Sequence, residues 1–317
     1  MTPMRLAVVG AGPMGRLHAR AISRRAARQG DCVLARVVDR NLERGERVAA
    51  EFGGRAADTL DACLDQVDAA VVAVPTRSHG GVTRTFLERG VDVLVEKPIF
   101  ATAGEAREIV QLALDRGCIL SVGHVEWFNA KLRDALRRAG TPRRIEVERL
   151  NPRSDRGLDI DVVQDFMIHD LDWVSRSMRD DVVEVTARGR AVSNEALDEV
   201  VADLRFATGS CARLYASRVH SKRVRTVRIE GNEATVEVDL LAAAEIDARD
   251  RGGFRDEEIE PLDAEWADFL AACRSREAPE NDGAVGVAAI EMVERVRRAV
   301  TQSAEGSGHG DDPAVRG

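Results

Sequence analysis

Residues 4–15 read Met-Arg-Leu-Ala-Val-Val-Gly-Ala-Gly-Pro-Met-Gly, an apolar run that ends in glycines and opens onto a helical pattern. Gly10, Gly12 and Gly15 make a GxGxxG, and its place between a strand and a helix is the context that a dinucleotide-binding turn requires. In such a turn Gly10 permits the tight bend, Gly12 lets a pyrophosphate approach the main chain, and Gly15 allows helix and strand to pack closely. Pro13 and Met14 open the helix whose amide dipoles face the phosphates. Asp39 closes the next strand-like run, Val33–Val38, where a carboxylate holds the ribose hydroxyls of NAD. Arg40 beside it is the kind of side chain that accommodates the 2′-phosphate of NADP, so NAD is the expected cofactor and NADP the alternative.

Outward from this loop, residues 1–122 alternate apolar runs with helical stretches, the pattern of a parallel sheet wrapped by helices. The strand-like runs are Arg5–Val9, Val33–Val38, Ala69–Val74, Val91–Val95 and Cys118–Val122, and a short helix fits Thr59–Gln66. From residue 123 the grammar changes. A helix near Asn129–Arg138, a strand at Arg144–Leu150 and an apolar-striped helix over Val162–Met178 lead into five β-rich runs between Val182 and Leu240, joined by turns such as Thr208-Gly209-Ser210. Two helices, Asp263–Arg274 and Gly283–Val300, close the pattern. The expected architecture is an N-terminal doubly wound (Rossmann) domain over 1–122 and a C-terminal α+β domain with an open, mostly antiparallel sheet over 123–300. The Gly-, Ser- and Asp-rich tail, 301–317, is expected to be disordered.

Glu96-Lys97-Pro98 stands at the carboxyl end of the Val91–Val95 strand, the edge where ligands bind in a doubly wound sheet. Of 46 basic residues only three are lysines (Lys97, Lys131, Lys222), which gives weight to a lysine there, because arginine does not readily release its proton. Asp165 and His169 lie at i and i+4, so a regular helix puts both on one face. Carboxylate beside imidazole is a usable general-base pair. With Asp170 on another face and no second histidine close by, no metal is expected.

Taken together, Gly10–Gly15, Val74-Pro75-Thr76 with His79, Glu96-Lys97-Pro98, and Asp165 with His169 resemble the Gfo/Idh/MocA oxidoreductases, the superfamily of glucose–fructose oxidoreductase and inositol dehydrogenase. The resemblance covers residues 4–300. It implies that Pro75, Thr76, His79, Glu96 and Lys97 border the cofactor, that Lys97 and His169 with Asp165 surround the reacting carbinol, and that a cis Lys97–Pro98 bond is allowed. It also implies a homodimer or homotetramer formed through the open sheet. Gly123-His124-Val125-Glu126-Trp127-Phe128-Asn129 further resembles the branch that acts on UDP-N-acetylglucosamine and related nucleotide sugars, although Trp127 and Ala130 stand where that branch has Arg and Pro. This implies a sugar substrate near His124, Glu126, Trp127 and Asn129, with Arg149, Arg156, Arg218 and Lys222 as candidate phosphate contacts. Trp127 reads equally as a stacking platform and as core, and the basic run Arg218–Arg228 reads also as a solvated sheet face.

The chain has 317 residues, 44% hydrophobic and 32% charged, enough for two domains each with its own core. A net charge of −8 argues against a general nucleic-acid binder. The longest wholly apolar stretch, Ala69–Val74, is far too short to cross a bilayer, so no membrane partner is expected. Five cysteines without a CxxC support neither a zinc knuckle nor a disulfide framework, and the reducing cytoplasm is the expected compartment. The reading is an NAD-dependent dehydrogenase acting on a secondary hydroxyl of a sugar. Its rivals are a polyol dehydrogenase, a transient-redox hydrolase or epimerase, and a non-catalytic NAD-binding sensor.

Overall fold

In β1 (Met4–Val9) the residues Leu6 to Val9 are all buried, as a central strand covered on both faces must be. The computed structural model describes residues 2–153, 160–192, 196–241 and 260–307, and they fall into two units. In the first, β1 is followed by α1 (Pro13–Gln29), β2 (Cys32–Val38), α2 (Leu42–Phe52), β3 (Arg55–Ala57), β4 (Ala69–Val72), α3 (His79–Glu88), β5 (Asp92–Glu96), α4 (Ala103–Arg116) and β6 (Leu120–Gly123). The six strands pair in parallel in the order β3-β2-β1-β4-β5-β6. Strand order reverses between β1 and β4, and a crevice opens beyond the carboxyl ends at such a switch point. The glycine turn leaves β1 there, and Val74-Pro75-Thr76 leaves β4.

Local chemistry sets the helix ends. The Asn41 side chain accepts from Arg44 N–H to cap α2, and the Thr102 hydroxyl accepts from Glu105 N–H to cap α4. Gly30 and Gly117 close α1 and α4 in the left-handed conformation. The helix expected over Thr59–Gln66 is only a 3₁₀ turn at Leu64–Gln66, since Cys63 and Leu64 alone supply it with a buried face.

In the second unit, α5 (Ala130–Ala139) and β7 (Pro142–Leu150) precede a π-helical turn at Val163–Met167, which runs directly into α6 (Ile168–Met178). Then come β8 (Val182–Arg190), β9 (Glu199–Phe206), β10 (Cys211–Ser217), β11 (Val224–Gly231) and β12 (Thr235–Asp239). The sheet order is β12-β11-β7-β10-β9-β8, antiparallel except for the parallel pair β7–β10. Strict alternation buries Val200, Ala202, Leu204 and Phe206 of β9 and Ala212, Leu214 and Ala216 of β10 on one face, against which α6 packs.

The expected boundary at 122/123 differs from the observed division. The first unit continues to Phe128 and takes in α7 (Pro261–Ser275) and α8 (Gly283–Ser307) as far as Ile290. The reason is burial: Trp266, Phe269 and Leu270 of α7 join Leu6, Val8, Ile22 and Leu94 in one core cluster. Helix α8 also runs past Thr301, where the tail was expected to begin, with Ser303 Oγ donating to Ala187 O; residues 308–317 of that tail lie outside the described residues. Among the described residues no helix is long and apolar enough to cross a membrane.

Candidate active site

The glycine turn is built by the sheet beneath it. Gly10 has φ 96°, donates its N–H to Val38 O at 2.7 Å, and has no room for a Cβ, which would strike Ala73 O. A Cβ on Gly15 would collide with Gly10 O, so this glycine lets α1 pass over the turn. Gly12 differs: its φ is −72°, and a Cβ there would meet nothing within 4 Å. The fold therefore does not need a glycine at 12, whereas a phosphate approaching the main chain does. Gly12 caps α1 without a side-chain hydrogen bond, Pro13 follows at the first helical position, and Met14 is exposed. The first N–H groups of the helix, which no intrahelical carbonyl can reach, are left for an anion. These residues fit a dinucleotide pyrophosphate.

Asp39 accepts from Ala11 N–H through Oδ2 and from Asn41 N–H through Oδ1, both at 2.8 Å. The carboxylate expected to meet a ribose thus also braces the glycine turn. Arg40 is exposed beside it. Across the switch point, Pro75 and Thr76 lead into the 3₁₀ turn Thr76–Ser78. His79, expected at the cofactor, is buried, with its ring nitrogens on main-chain carbonyls: Nε2 on Val74 O at 2.9 Å, Nδ1 on Pro98 O at 3.0 Å and Ile99 O at 3.2 Å. It therefore ties the end of β4 to the turn that carries Lys97 instead of reaching outward.

Lys97 follows β5, half-buried, with a cis bond to Pro98. Its N–H donates to Glu96 Oε2 at 3.1 Å, and Glu96 Oε1 lies 2.8 Å from Nε2 of the buried His18. Burial pushes the Glu96 carboxyl up, but the His18 hydrogen bond and the Lys97 charge outweigh it and leave the group below its usual range. His124 and Glu126, also of the first unit, are buried. Trp127 is half-buried and donates its indole N–H to Glu280 Oε2 at 2.7 Å.

The second unit places Asp165 inside the π turn and His169 at the second position of α6, both half-buried. The single regular helix expected here is thus interrupted, and the i, i+4 argument does not carry over unchanged; π turns recur at functional sites. Side chains hold this turn. Asp161 accepts from Gln164 N–H through Oδ1 at 2.9 Å, while Arg297 of α8 donates to Asp161 Oδ2 at 2.6 Å and to Gln164 Oε1 at 2.9 Å.

The second unit also redirects three expected substrate contacts. Arg149 is buried and forks onto Asp170, Nε to Oδ2 at 2.6 Å and Nη2 to Oδ1 at 2.7 Å. Arg218 is buried and donates to Asp198 Oδ1 at 2.6 Å and to Ile160 O at 2.7 Å. Asn129 caps α5 by accepting from Lys131 and Leu132 N–H. These groups serve the fold because alternation turns Arg149 and Arg218 to the inner face, in phase with Val147 and Ala216, where a charge needs a partner. The basic run accordingly splits: Arg228 lies on the outer face among Glu146, Glu230 and Glu237, and Lys222 and Arg223 are exposed. Arg156 lies outside the described residues. His18 and its partner Trp266 escaped sequence reasoning, although Gly15, His18, Ala19 and Ile22 form an i, i+3, i+4, i+7 buried stripe that marked the histidine as inward.

A parallel sheet with a phosphate-binding turn at its switch point, and a lysine at the same edge, define a dinucleotide-dependent oxidoreductase with a second α/β unit. The chain belongs to the Gfo/Idh/MocA family: the description "Oxidoreductase family, NAD-binding Rossmann fold" matches residues 4–124, and the "GFO/IDH/MocA C-terminal domain" matches 121–237. It is 36% identical to UDP-N-acetylglucosamine 3-dehydrogenase of Acidithiobacillus ferrooxidans over 95% of this chain and 98% of that one. A solved structure of the enzyme of that name from the same organism superposes with a TM-score of 0.84, covering 95% of this chain and 99% of the other. Inositol 2-dehydrogenase of Rhizobium meliloti is 25% identical over 94% of this chain and 97% of its own.

Proposed function

We propose that the protein oxidises a secondary hydroxyl of a nucleotide sugar, the 3-hydroxyl of UDP-N-acetylglucosamine, to the ketone. The observation that carries the substrate is the 36% identity to the Acidithiobacillus enzyme along nearly the whole of both chains. His169, oriented by Asp165, takes the hydroxyl proton on its ring, and Lys97 steadies the negative charge that develops on the oxygen. Bound NAD supplies the hydride acceptor. The glycine turn and Asp39 hold that cofactor, and the Lys97 and His169 side chains serve the chemistry.

NADH should form from NAD and UDP-N-acetylglucosamine, followed by absorbance, with little from N-acetylglucosamine or myo-inositol. Lys97→Met and His169→Ala should each lower turnover by about 10²-fold or more while NAD affinity changes little. Near-normal turnover in both variants refutes the site. One observation favours a polyol instead: Arg149 and Arg218 are engaged in buried pairs, and an uncharged ring needs no phosphate partner. Faster turnover of inositol or a free hexose than of every UDP-sugar would select that reading. Product without net NADH would select transient redox, and NAD binding without product a sensor.

We further infer a homodimer or homotetramer formed through the outer face of the second sheet. That face carries both signs of charge in alternation (Arg213 on Asp203, Arg228 on Glu237) around a concavity of about 760 Å³, so two copies can pair arginines with carboxylates. Light scattering tests this, and a monomer at all concentrations rejects it. The five cysteines, none in a disulfide, support residence in the reducing cytoplasm, and the net charge of −8 speaks against a nucleic-acid partner.

A further inference from the structure

Behind Lys97 the first unit holds a buried polar chain that hydride transfer does not itself require. Trp266 Nε1–H donates to His18 Nδ1 at 3.1 Å, and the rings meet edge to face with centroids 5.8 Å apart. An indole nitrogen only donates, so His18 Nδ1 must present its lone pair, and the ring proton lies on Nε2. That proton points at Glu96 Oε1, 2.8 Å away, and Glu96 Oε2 receives the main-chain N–H of Lys97 at 3.1 Å. His18 and Trp266 are both closed to solvent, and Glu96 nearly so.

We propose that His18, its tautomer fixed by Trp266, is a positioning residue for Lys97: it orients the Glu96 carboxylate that anchors the Lys97 main chain. The inference rests on Lys97 acting in the reaction. Three elements contribute to the chain. Helix α1 brings His18 from the same helix whose start forms the glycine turn, α7 brings Trp266, and β5 ends in Glu96. The cofactor helix and the lysine turn are thereby joined through one ring. The carboxylate has a fixed place partly because the facing residue on β6 is Gly123, whose Cβ would fall 3.1 Å from Glu96 Cδ.

The titratable groups around this chain are Lys97 on its own turn and Glu265 and Asp268 on α7. Burial pushes the Glu265 carboxyl well up, the Glu96 charge adds to this, and a hydrogen bond with Asn281 opposes it. The two buried glutamates are thus shifted in opposite directions, Glu96 down and Glu265 up.

Two measurements test the proposal. Nitrogen-15 NMR of histidine-labelled protein without added cofactor, assigned by the signal lost in His18→Gln, should show His18 as the Nε2–H tautomer. The Nδ1–H tautomer or an imidazolium overturns the proposal whatever the turnover. In assays with UDP-N-acetylglucosamine and NAD, His18→Leu should lower kcat about tenfold to a hundredfold with little change in the KM for NAD. His18→Gln, which keeps a donor near the Nε2 position, should recover most of that loss. In the Lys97→Met background His18→Leu should cost no more than about twofold further, since it acts through the lysine. An equal loss in both backgrounds, or normal turnover of a folded His18→Leu protein, overturns the proposal. If His18→Leu does not fold, Trp266→Phe replaces it: the indole donor is lost, the NMR signal should leave the pure Nε2–H form, and turnover should fall. Should Lys97→Met itself turn over normally, the reading beneath fails, and this inference with it.

Discussion

The two units hold their candidate residues by different means. In the first, the main chain does most of the work: Gly10 N–H lies on Val38 O, Asp39 on the N–H groups of Ala11 and Asn41, the His79 ring on three carbonyls, and Lys97 N–H on Glu96. In the second, side-chain pairs do it: Arg297 with Asp161 and Gln164, Arg149 with Asp170, Arg218 with Asp198. The carboxyl edge of a parallel sheet ends in main-chain donors and acceptors at fixed spacing, and a turn can be bonded to it whatever side chains it carries. The π turn packs against β10 but takes its side-chain holds from Asp161, Gln164 and Arg297. The first arrangement turns on its glycines and on a few side chains that bond to the main chain, Asp39, His79 and Glu96; the second depends on the identity of each charged partner.

The largest expected effect follows from that dependence. Arg149→Leu takes the forked guanidinium from Asp170 in the interior, leaving it the Trp173 indole N–H at 3.2 Å, and should cost about 3–5 kcal/mol in denaturant unfolding. The double change Arg149→Leu with Asp170→Leu should recover much of it. Arg213→Leu, in an exposed pair with Asp203 at 2.8 Å on the same sheet, should cost about 1 kcal/mol or less. Equal losses at the two arginines would erase the distinction between inner and outer faces.

Asp172 extends the same contrast to pH. It is buried on α6, and burial pushes its carboxyl up to about 7, with Arg176 at 3.5 Å only partly opposing the shift. Between the ordinary carboxyl value, about 3.8, and about 7 the folded state therefore keeps a proton that the unfolded chain has lost. Stability should fall as pH rises through this window, by about 1.4 kcal/mol per unit and roughly 4 kcal/mol in all. Asp172→Asn should flatten that slope in melts taken at pH 5 and pH 8. An unchanged slope would place the titrating group elsewhere.

These pairs also mark where sequence reading stops. The glycine turn, Asp39 and the Glu96-Lys97-Pro98 edge were legible because each depends on neighbours within a few residues and on a strand pattern that declares itself. Arg149 and Arg218 were visibly in phase with buried strand positions, but the carboxylates that engage them, Asp170 and Asp198, come from elsewhere in the fold, and their charge read instead as a phosphate contact. The π turn has no local signature, since the residues of Val163–Met167 would suit an ordinary helix equally well. Helix α7 returns to the first unit after more than a hundred intervening residues, so a division made at one point in the chain could not show that Trp266 belongs to that core.

Within the first unit, the glycines separate what the fold needs from what the ligand needs. Gly15→Ala pushes a methyl into the Gly10 carbonyl, which is main chain and cannot turn aside, and should cost about 1–3 kcal/mol or more along with NAD binding. Gly12→Ala places its methyl in open space at an ordinary φ of −72° and should leave the melting temperature unchanged while weakening NAD. If Gly12→Ala melts early, or binds NAD normally, the pyrophosphate does not lie where the turn leaves room for it.

A further small effect is expected at Asp39, whose side chain braces the glycine turn. Its two oxygens serve two N–H groups, Ala11 at 2.8 Å and Asn41 at 2.8 Å, and each oxygen keeps a second lone pair for a ribose hydroxyl. An amide at this position has one oxygen and one NH₂, so Asp39→Asn must turn a donor toward one of those N–H groups and loosen either the glycine turn or the start of α2. It also removes the negative charge that repels a 2′-phosphate. NAD affinity should fall about tenfold, roughly 1.4 kcal/mol, while NADP affinity stays level or rises, so the preference narrows from one side only. Calorimetry with both cofactors resolves the two contributions. A parallel loss for NAD and NADP would mean that Asp39 acts solely through the turn, with cofactor choice made elsewhere.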